Sequence, residues 1–210
     1  MNYIIKILNT QPNSIYFSIL LLISFNSFHL ISHNLFYKFI FYIYSPIMWT
    51  FQEYLAHRIL MHNFEPTKKI HFKHHFNPHD RNKIFIPIFF TILFSLLNFA
   101  PIYLLFGYHV MLLNFSSFTL CYMLFEFTHW GCHNLPNSKL LKGPRLYHLI
   151  HHTKNYKSVN IKNYGFTSAT WDILFNTCCK SFLNKKYSYL LLIPYPVVPL
   201  ILVDILELRE

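Results

Sequence analysis

The chain has 210 residues, of which 53% are hydrophobic and only 12% are charged, and its formal net charge is +10. This is the length of one domain, but the composition is too apolar for an ordinary soluble domain. A basic charge can indicate nucleic-acid binding, yet no basic helix or compact Lys/Arg run is present. The sequence therefore predicts a membrane protein with basic loops and no nucleic-acid partner.

Four apolar segments have about the length that crosses a bilayer. These predicted spans are residues 15–31, 35–56, 84–106 and 110–128. The first lacks a small-x-small cleavage signal, so we expect a retained helix and not a signal peptide. Pro46 is expected to kink the second span. A last apolar run, residues 189–203, contains three prolines, so we expect it to lie in the membrane interface or against the protein body.

Basic residues give these spans an orientation. Between spans two and three lie Lys68, Lys69, Lys73, Arg81 and Lys83, and nine more basic residues lie between Lys139 and Lys186. By the positive-inside rule, the N-terminus and both basic regions face the cytosol. The predicted fold is a single domain over residues 1–210, an all-α integral membrane protein with about four transmembrane helices and a cytosolic helical cap.

The cysteines include an adjacent pair, Cys178 and Cys179, and none of the four has CxxC spacing. An adjacent pair rarely forms a disulfide with itself, so reduced thiols are expected. Acylation of one of the two thiols near the membrane is the alternative.

Eleven of the 14 histidines lie in the predicted cytosolic regions, and ten of these form four clusters. The clusters are His57 with His62, His71 with His74 and His75, His129 with His133, and His148 with His151 and His152. Spacing of i, i+3, i+4 on a helix predicts side chains that project from one face toward one point. Spacing of i, i+5 separates two side chains by about 140° on an ideal helix, so the first pair needs a break or serves two positions.

Ten imidazoles can supply about five nitrogens to each of two metal ions. A neutral imidazole shell also lowers the cost of a site beside lipid. One such cluster is equally well explained by polar residues on solvated helix ends, but four clusters favour metal binding. The remaining three histidines, His29, His33 and His109, fall near the opposite membrane face and are expected to be ordinary interfacial residues.

The stretches HRILMH, HFKHH, HWGCH and HLIHH, followed by NYG and WDILFNT, resemble the fatty acid hydroxylase/sterol desaturase superfamily, and within it the fatty acid 2-hydroxylase branch. The resemblance covers about residues 45–177. It implies metal ligation by His57, His62, His71, His74, His75, His129, His133, His148, His151 and His152. It also implies two iron ions that use O₂ and electrons from an external donor, with zinc able to occupy the purified protein.

Five further residues near the clusters are expected to have supporting roles. Glu53 and Glu126 each precede a cluster by about one helical turn, so each either accepts an Nδ1–H bond from a ligating imidazole or acts as a capping or interfacial acid. His79 is expected at the rim of the site. Trp171 and Asp172 are expected to close the cytosolic cap, with Asp172 placed behind the ligands.

The function that the resemblance implies is O₂-dependent hydroxylation of a membrane lipid, with 2-hydroxylation of a fatty acyl chain preferred. The alternatives are hydroxylation or desaturation of a sterol or carotenoid, and a non-enzymatic metal-binding or transport protein. Transport is disfavoured because the predicted spans carry few polar ligands. The chain lacks the fused cytochrome b5 domain common in eukaryotic 2-hydroxylases, so a separate cytochrome b5-like or ferredoxin-like protein is expected to supply electrons.

Overall fold

A computed structural model of the protein describes residues 35–86, 88–153, 162–186 and 188–207. In these residues all regular secondary structure is helical. The elements in chain order are α1 (Leu35–Leu55), a π-helical segment (Ala56–Met61), α2 (Glu65–Phe76), α3 (Arg81–Ile84), α4 (Ile88–Asn134), α5 (Lys142–Thr153), α6 (Thr170–Leu174), α7 (Lys180–Leu183), a 3₁₀ helix (Ser188–Leu192) and α8 (Val198–Glu207). The predicted all-helical class is confirmed for this part of the chain.

The chain divides into two compact units. Among the described residues, the first contains 35–46 and 85–123, and the second contains 47–84 and 124–207. Helices α1 and α4 each contribute residues to both units. All the clustered histidines belong to the second unit.

Helix α4 is interrupted at Gly107, whose φ of 80° and ψ of 178° are not helical. Positive φ is a conformation that glycine adopts without a side-chain clash. The two arms then pack against each other in opposite directions, because Thr91 hydrogen-bonds Tyr122 at 3.2 Å and the rings of Phe99 and Phe115 lie 5.0 Å apart. The break falls in the predicted connection between spans three and four.

Helix α4 is also the one helix in the described ranges that is long and apolar enough to cross a membrane, over Phe90–Asn134. Its apolar side chains are largely exposed: Leu97, Leu104 and Leu105 are 67%, 78% and 75% accessible. Exposed apolar surface of this kind is suited to lipid. The first predicted span, residues 15–31, lies outside the described residues, and a total of four crossings stays a prediction.

The last apolar run forms part of a helical core in the second unit. Pro194 and Pro196 lie between the 3₁₀ helix and α8, and Leu191, Leu200 and Val203 are buried. They pack in one cluster with Tyr147 of α5 and with Ala169, Cys178, Cys179 and Phe182. All four cysteines are free and buried, so the adjacent thiols are shielded by this packing and their burial favours unmodified thiols.

Candidate metal centre

The structure brings ten histidines of the second unit into two groups of five. Group A is His57, His62, His71, His75 and His151, and group B is His74, His129, His133, His148 and His152. Within each group, each histidine contributes one ring nitrogen, and these five nitrogens lie within 4.8 Å of one another. These are the ten residues that the four sequence clusters predicted, and each group has the size and donor chemistry to hold one metal ion.

The π-helical segment explains how His57 and His62 serve one group. On an α-helix their i, i+5 spacing would point them in different directions, whereas a π-helix is wound so that residues i and i+5 are joined by the backbone hydrogen bond. In the structure the segment Ala56–Met61 is π-helical and the two rings lie 5.0 Å apart. The interruption of the α-helix that the spacing of this pair predicted is therefore a local change from α-helix to π-helix.

The two HxxHH clusters do not each point toward a single centre, which corrects the sequence prediction. In α2, His71 and His75 belong to group A and His74 to group B. In α5, His148 and His152 belong to group B and His151 to group A. Residues at i and i+4 are about 40° apart around a helix, while i+3 lies about 60° away on the other side. The i, i+4 pair therefore shares one centre, and the i+3 side chain reaches the other.

The distances within group A are those of a coordination shell. His71 Nε2 lies 3.0 Å from that of His57, 3.2 Å from that of His62 and 2.9 Å from that of His75. One neutral imidazole nitrogen carries one hydrogen or one lone pair, so it cannot make three good hydrogen bonds. Nitrogens about 2.1 Å from a shared metal at right angles would lie about 3.0 Å apart. The residues present fit a metal ion.

Group B repeats this spacing. His148 Nε2 lies 2.9 Å from Nε2 of both His133 and His152, and His129 Nε2 lies 3.1 Å from that of His74. The five donors again converge on one point from three helices, α2, α4 and α5. The two groups are thus built alike, each from imidazole nitrogens alone.

Burial keeps these imidazoles neutral. Removal from water, with the neighbouring imidazoles as a smaller cause, lowers the pKa of His62 to about 2 and of His75 to about 3. For His57, burial lowers the pKa to about 4, and the hydrogen bond to the Tyr164 backbone opposes this in part. A metal ligand must be an unprotonated nitrogen, so this environment keeps the ligand form available at neutral pH.

Two group-A rings are oriented by backbone carbonyls. His57 Nδ1 donates to the carbonyl oxygen of Tyr164 at 2.5 Å, and His151 Nδ1 donates to that of Lys162 at 3.0 Å. Because a carbonyl only accepts, each Nδ1 carries the hydrogen and each Nε2 presents its lone pair to the group. By contrast, the buried Nδ1 atoms of His74, His129, His133 and His152 in group B, and of His62 and His75 in group A, make no hydrogen bond within the described residues.

Glu53 does not accept an Nδ1–H bond from an imidazole, which was one of the two sequence predictions for it. Its Oε1 accepts from the backbone N–H groups of Phe166 and Thr167 at 2.5 and 2.8 Å, and its Oε2 accepts from the Thr167 hydroxyl. These backbone donors were available because the segment after residue 162 folds against α1. Glu126 is fully buried in α4.

Asp172 is fully buried and accepts hydrogen bonds from four groups. The donors are the backbone N–H groups of Tyr164 and Gly165 and the hydroxyls of Tyr147 and Thr177. Burial raises the pKa of Asp172, and these hydrogen bonds lower it in part. Asp172 therefore holds the segment that carries the carbonyl partner of His57. Tyr147 and Thr177 had no signal in the sequence, because single hydroxyls outside the histidine clusters form no pattern.

The other predicted residues lie around the groups. His79 belongs to neither group; its Nδ1 lies 3.1 Å from the carbonyl oxygen of His133. Trp171 donates from Nε1 to the Thr50 hydroxyl at 3.1 Å and so attaches α6 to α1. His109 lies in α4 beside Tyr108, whose ring is 5.8 Å away. His29 and His33 lie outside the described residues.

The fold and the site define a helical protein with a membrane-capable helix and two histidine groups suited to metal ions. Residues 42–177 match the model of the family described as fatty acid hydroxylase. The chain therefore belongs to the fatty acid hydroxylase family, and the resemblance predicted from the sequence is confirmed.

Named relatives fall in the predicted branch. The chain is 33% identical over 149 residues to the ceramide very long chain fatty acid hydroxylase scs7 of Schizosaccharomyces pombe, covering 65% of this chain and 42% of that protein. It is 31% identical over 142 residues to the dihydroceramide fatty acyl 2-hydroxylase FAH1 of Arabidopsis thaliana, covering 62% and 56%. It is 26% identical over 147 residues to the fatty acid 2-hydroxylase of Mus musculus, covering 65% of this chain and 38% of that protein.

The chain thus spans roughly two fifths to just over half of the length of these relatives. A solved structure, full-length scs7p in which only the hydroxylase domain is visible, has the same fold. It superposes with a TM-score of 0.66 at 21% sequence identity, covering 78% of this chain and 64% of that chain.

Proposed function

We propose that this protein is an O₂-dependent hydroxylase of a membrane lipid, and that its reaction is 2-hydroxylation of a fatty acyl chain. The observation that carries the proposal is the pair of five-histidine groups inside a domain of the fatty acid hydroxylase family. The names of the relatives support the choice of an acyl chain over a sterol or carotenoid.

The ten histidines of groups A and B are the proposed metal ligands. Iron is the proposed metal, because zinc does not change oxidation state, although an all-imidazole shell also accepts zinc. When bound, the two iron ions would supply the O₂-dependent oxidation of a C–H bond. The overall reaction balances as one oxygen atom inserted into the substrate and one released as water, with two electrons and two protons supplied from outside.

Two buried aromatic side chains, Phe166 and Phe125, pack beside group B. The Phe166 ring lies 4.6 Å from that of His148, 5.0 Å from that of His129 and 5.4 Å from that of Phe125. Glu53 holds the backbone of Phe166 and so fixes the position of this ring. These buried rings exclude water from one side of group B.

The proposed location is a cell membrane crossed about four times, with the histidine groups on the cytosolic side. The exposed apolar surface of α4 and the basic residues of the histidine-bearing regions support this arrangement. The lipid substrate would then enter from the bilayer. The two electrons are proposed to come from a separate cytochrome b5-like or ferredoxin-like protein.

The test compares the lipids of cells expressing the wild type, His151→Ala or His79→Ala, with an electron donor co-expressed. His151 is a fully buried group-A ligand, whereas His79 belongs to neither group. We expect 2-hydroxylated acyl chains with the wild type and His79→Ala and none with His151→Ala. An oxidised sterol or carotenoid would overturn the proposed substrate, and wild-type activity in His151→Ala would overturn the proposed site.

A further inference from the structure

One peptide group connects a group-A imidazole to a buried carboxylate. The carbonyl oxygen of Tyr164 accepts from His57 Nδ1 at 2.5 Å. The N–H of the same peptide group belongs to Gly165 and donates to Asp172 Oδ2, also at 2.5 Å. The two hydrogen bonds lie at opposite ends of a single planar unit, so a strong acceptor at one end polarises the carbonyl at the other.

The second oriented imidazole of group A has a similar arrangement. His151 Nδ1 donates to the carbonyl of Lys162, and the N–H of that peptide group, on Asn163, donates to the carbonyl of Thr177 at 2.9 Å. Thr177 in turn makes two hydrogen bonds to Asp172. Its backbone N–H donates to the backbone carbonyl of Asp172 at 2.7 Å, and its hydroxyl donates to Oδ1 at 2.6 Å. The two carbonyl groups that orient His57 and His151 are therefore both connected to Asp172 by hydrogen bonds.

Group B has less such support in the described part of the chain, because its unbonded buried Nδ1 atoms outnumber the two of group A, on His62 and His75. The buried Nδ1 atoms of four of its five rings make no hydrogen bond there. Partners behind ligating imidazoles fix ring orientation and tautomer and raise ligand basicity. Two groups with the same donor atoms thus differ in how far their rings are oriented before metal binds.

We propose that Asp172 is a positioning residue that acts through the Tyr164–Gly165 peptide group on His57 and makes group A the tighter of two unequal metal sites. The inference rests on the proposed role of the ten histidines as metal ligands. It adds a selective effect: a residue that touches neither ion strengthens binding at one site and leaves the other unchanged.

The test titrates the whole 210-residue chain, purified in detergent and stripped of metal, with Co²⁺ in competition with a chelator. His71→Ala and His129→Ala assign each binding step to group A or group B. In the wild type we expect two steps, with group A filled first. Asp172→Asn replaces one acceptor oxygen by an amide nitrogen, which cannot accept a hydrogen bond, so the group-A affinity should fall by about 10- to 100-fold. The group-B affinity should not change.

Tyr147→Phe is the matched control. It removes the hydroxyl that donates to Asp172 at 2.9 Å but leaves the hydrogen bonds from Tyr164 and Gly165. If Asp172 only anchored α5, this variant would weaken the same site as Asp172→Asn; we expect wild-type affinity at both sites.

Any of four results would overturn the inference, and the last of them would also overturn the proposed function. Equal weakening of both sites in Asp172→Asn, or of neither, removes the selective role of Asp172. Filling of group B first in the wild type contradicts the order of affinities, and this measurement does not depend on the folding of any variant at Asp172. A wild-type protein that binds no Co²⁺ overturns the ligand assignment itself, and the proposed function with it.

Discussion

Glu53 binds Thr167 twice: Oε1 accepts from the Thr167 backbone N–H at 2.8 Å, and Oε2 accepts from its hydroxyl. The two residues are 114 positions apart, and both are buried. Glu53 lies one helical turn before His57, and Thr167 follows Phe166, whose ring contacts His148. The contact between Glu53 and Thr167 therefore holds the Phe166 ring, which lies beside group B, against α1, the helix that precedes His57 of group A.

Replacing Glu53 by Ala should destabilise the protein strongly. It leaves the backbone N–H groups of Phe166 and Thr167 buried without an acceptor, and each unsatisfied group costs about 1–3 kcal/mol. A loss of about 3 kcal/mol would lower the Tm by about 6–12 °C in a chain of this length. Thermal unfolding in detergent measures it. Glu53→Gln keeps one oxygen acceptor and should lose less than half as much; equal Tm values for wild type and Glu53→Ala would contradict the role.

Replacing His74 by Ala should remove one metal ion and most of the activity. His79→Ala should keep both metal ions and the activity. His74 is a buried member of group B, while His79 belongs to neither group and its Nδ1 lies 3.1 Å from the backbone carbonyl oxygen of His133. We expect about one metal ion per chain in His74→Ala, against two in the wild type, and turnover at least about 100-fold lower. Metal analysis of the purified proteins checks the first value. Full metal content in His74→Ala would exclude this residue as a ligand.

The spacing of the histidines predicted much of this site and left one part open. The i, i+4 pair His129 and His133 shares a group because helix geometry alone places both on one face. The choice of His75 for group A and His74 for group B depends on which rings lie on each side of α2, and that is decided by tertiary packing. The carbonyl of Tyr164 is a backbone atom, so no side-chain pattern could identify it as the partner of His57.

The metal-free protein should lose stability as the pH falls below about 6.5. The folded-state pKa values of His57, His62 and His75 are lowered to about 4, 2 and 3, so the unfolded chain binds protons that the folded chain does not. Stability is then fully present above pH 6.5 and declines toward the folded-state pKa values, by about 1.4 kcal/mol per pH unit for each imidazole. Tm values at pH 7.5, 6.5 and 5.5 measure this. An unchanged Tm at pH 5.5 would contradict the burial of neutral imidazoles.

Bound metal should shift this loss of stability to lower pH. A metal ion binds only the unprotonated nitrogen, so protons must displace it before they can charge the ring. The Tm of the metal-loaded protein should therefore change less between pH 7.5 and 5.5 than that of the stripped protein. Parallel declines would mean that the titrating groups lie outside the two histidine groups.

Replacing Gly165 by Ala should be more damaging than the same change at Gly107. A Cβ at Gly165 would lie 2.1 Å from the Ser168 carbonyl oxygen and 2.9 Å from Asp172 Oδ2, so the backbone of the segment must shift. At Gly107 nothing lies within 4 Å of the new Cβ, and the cost is limited to the backbone conformation, φ 80° and ψ 178°, which is about 1–3 kcal/mol for a residue with a side chain. We expect Gly165→Ala to lower both the Tm and the metal affinity of group A, because the shifted peptide group is the one that accepts from His57. Gly107→Ala should lower the Tm only. A Gly165→Ala protein with wild-type Tm and metal affinity would show that the segment tolerates the shift, and that its carbonyl does not position His57.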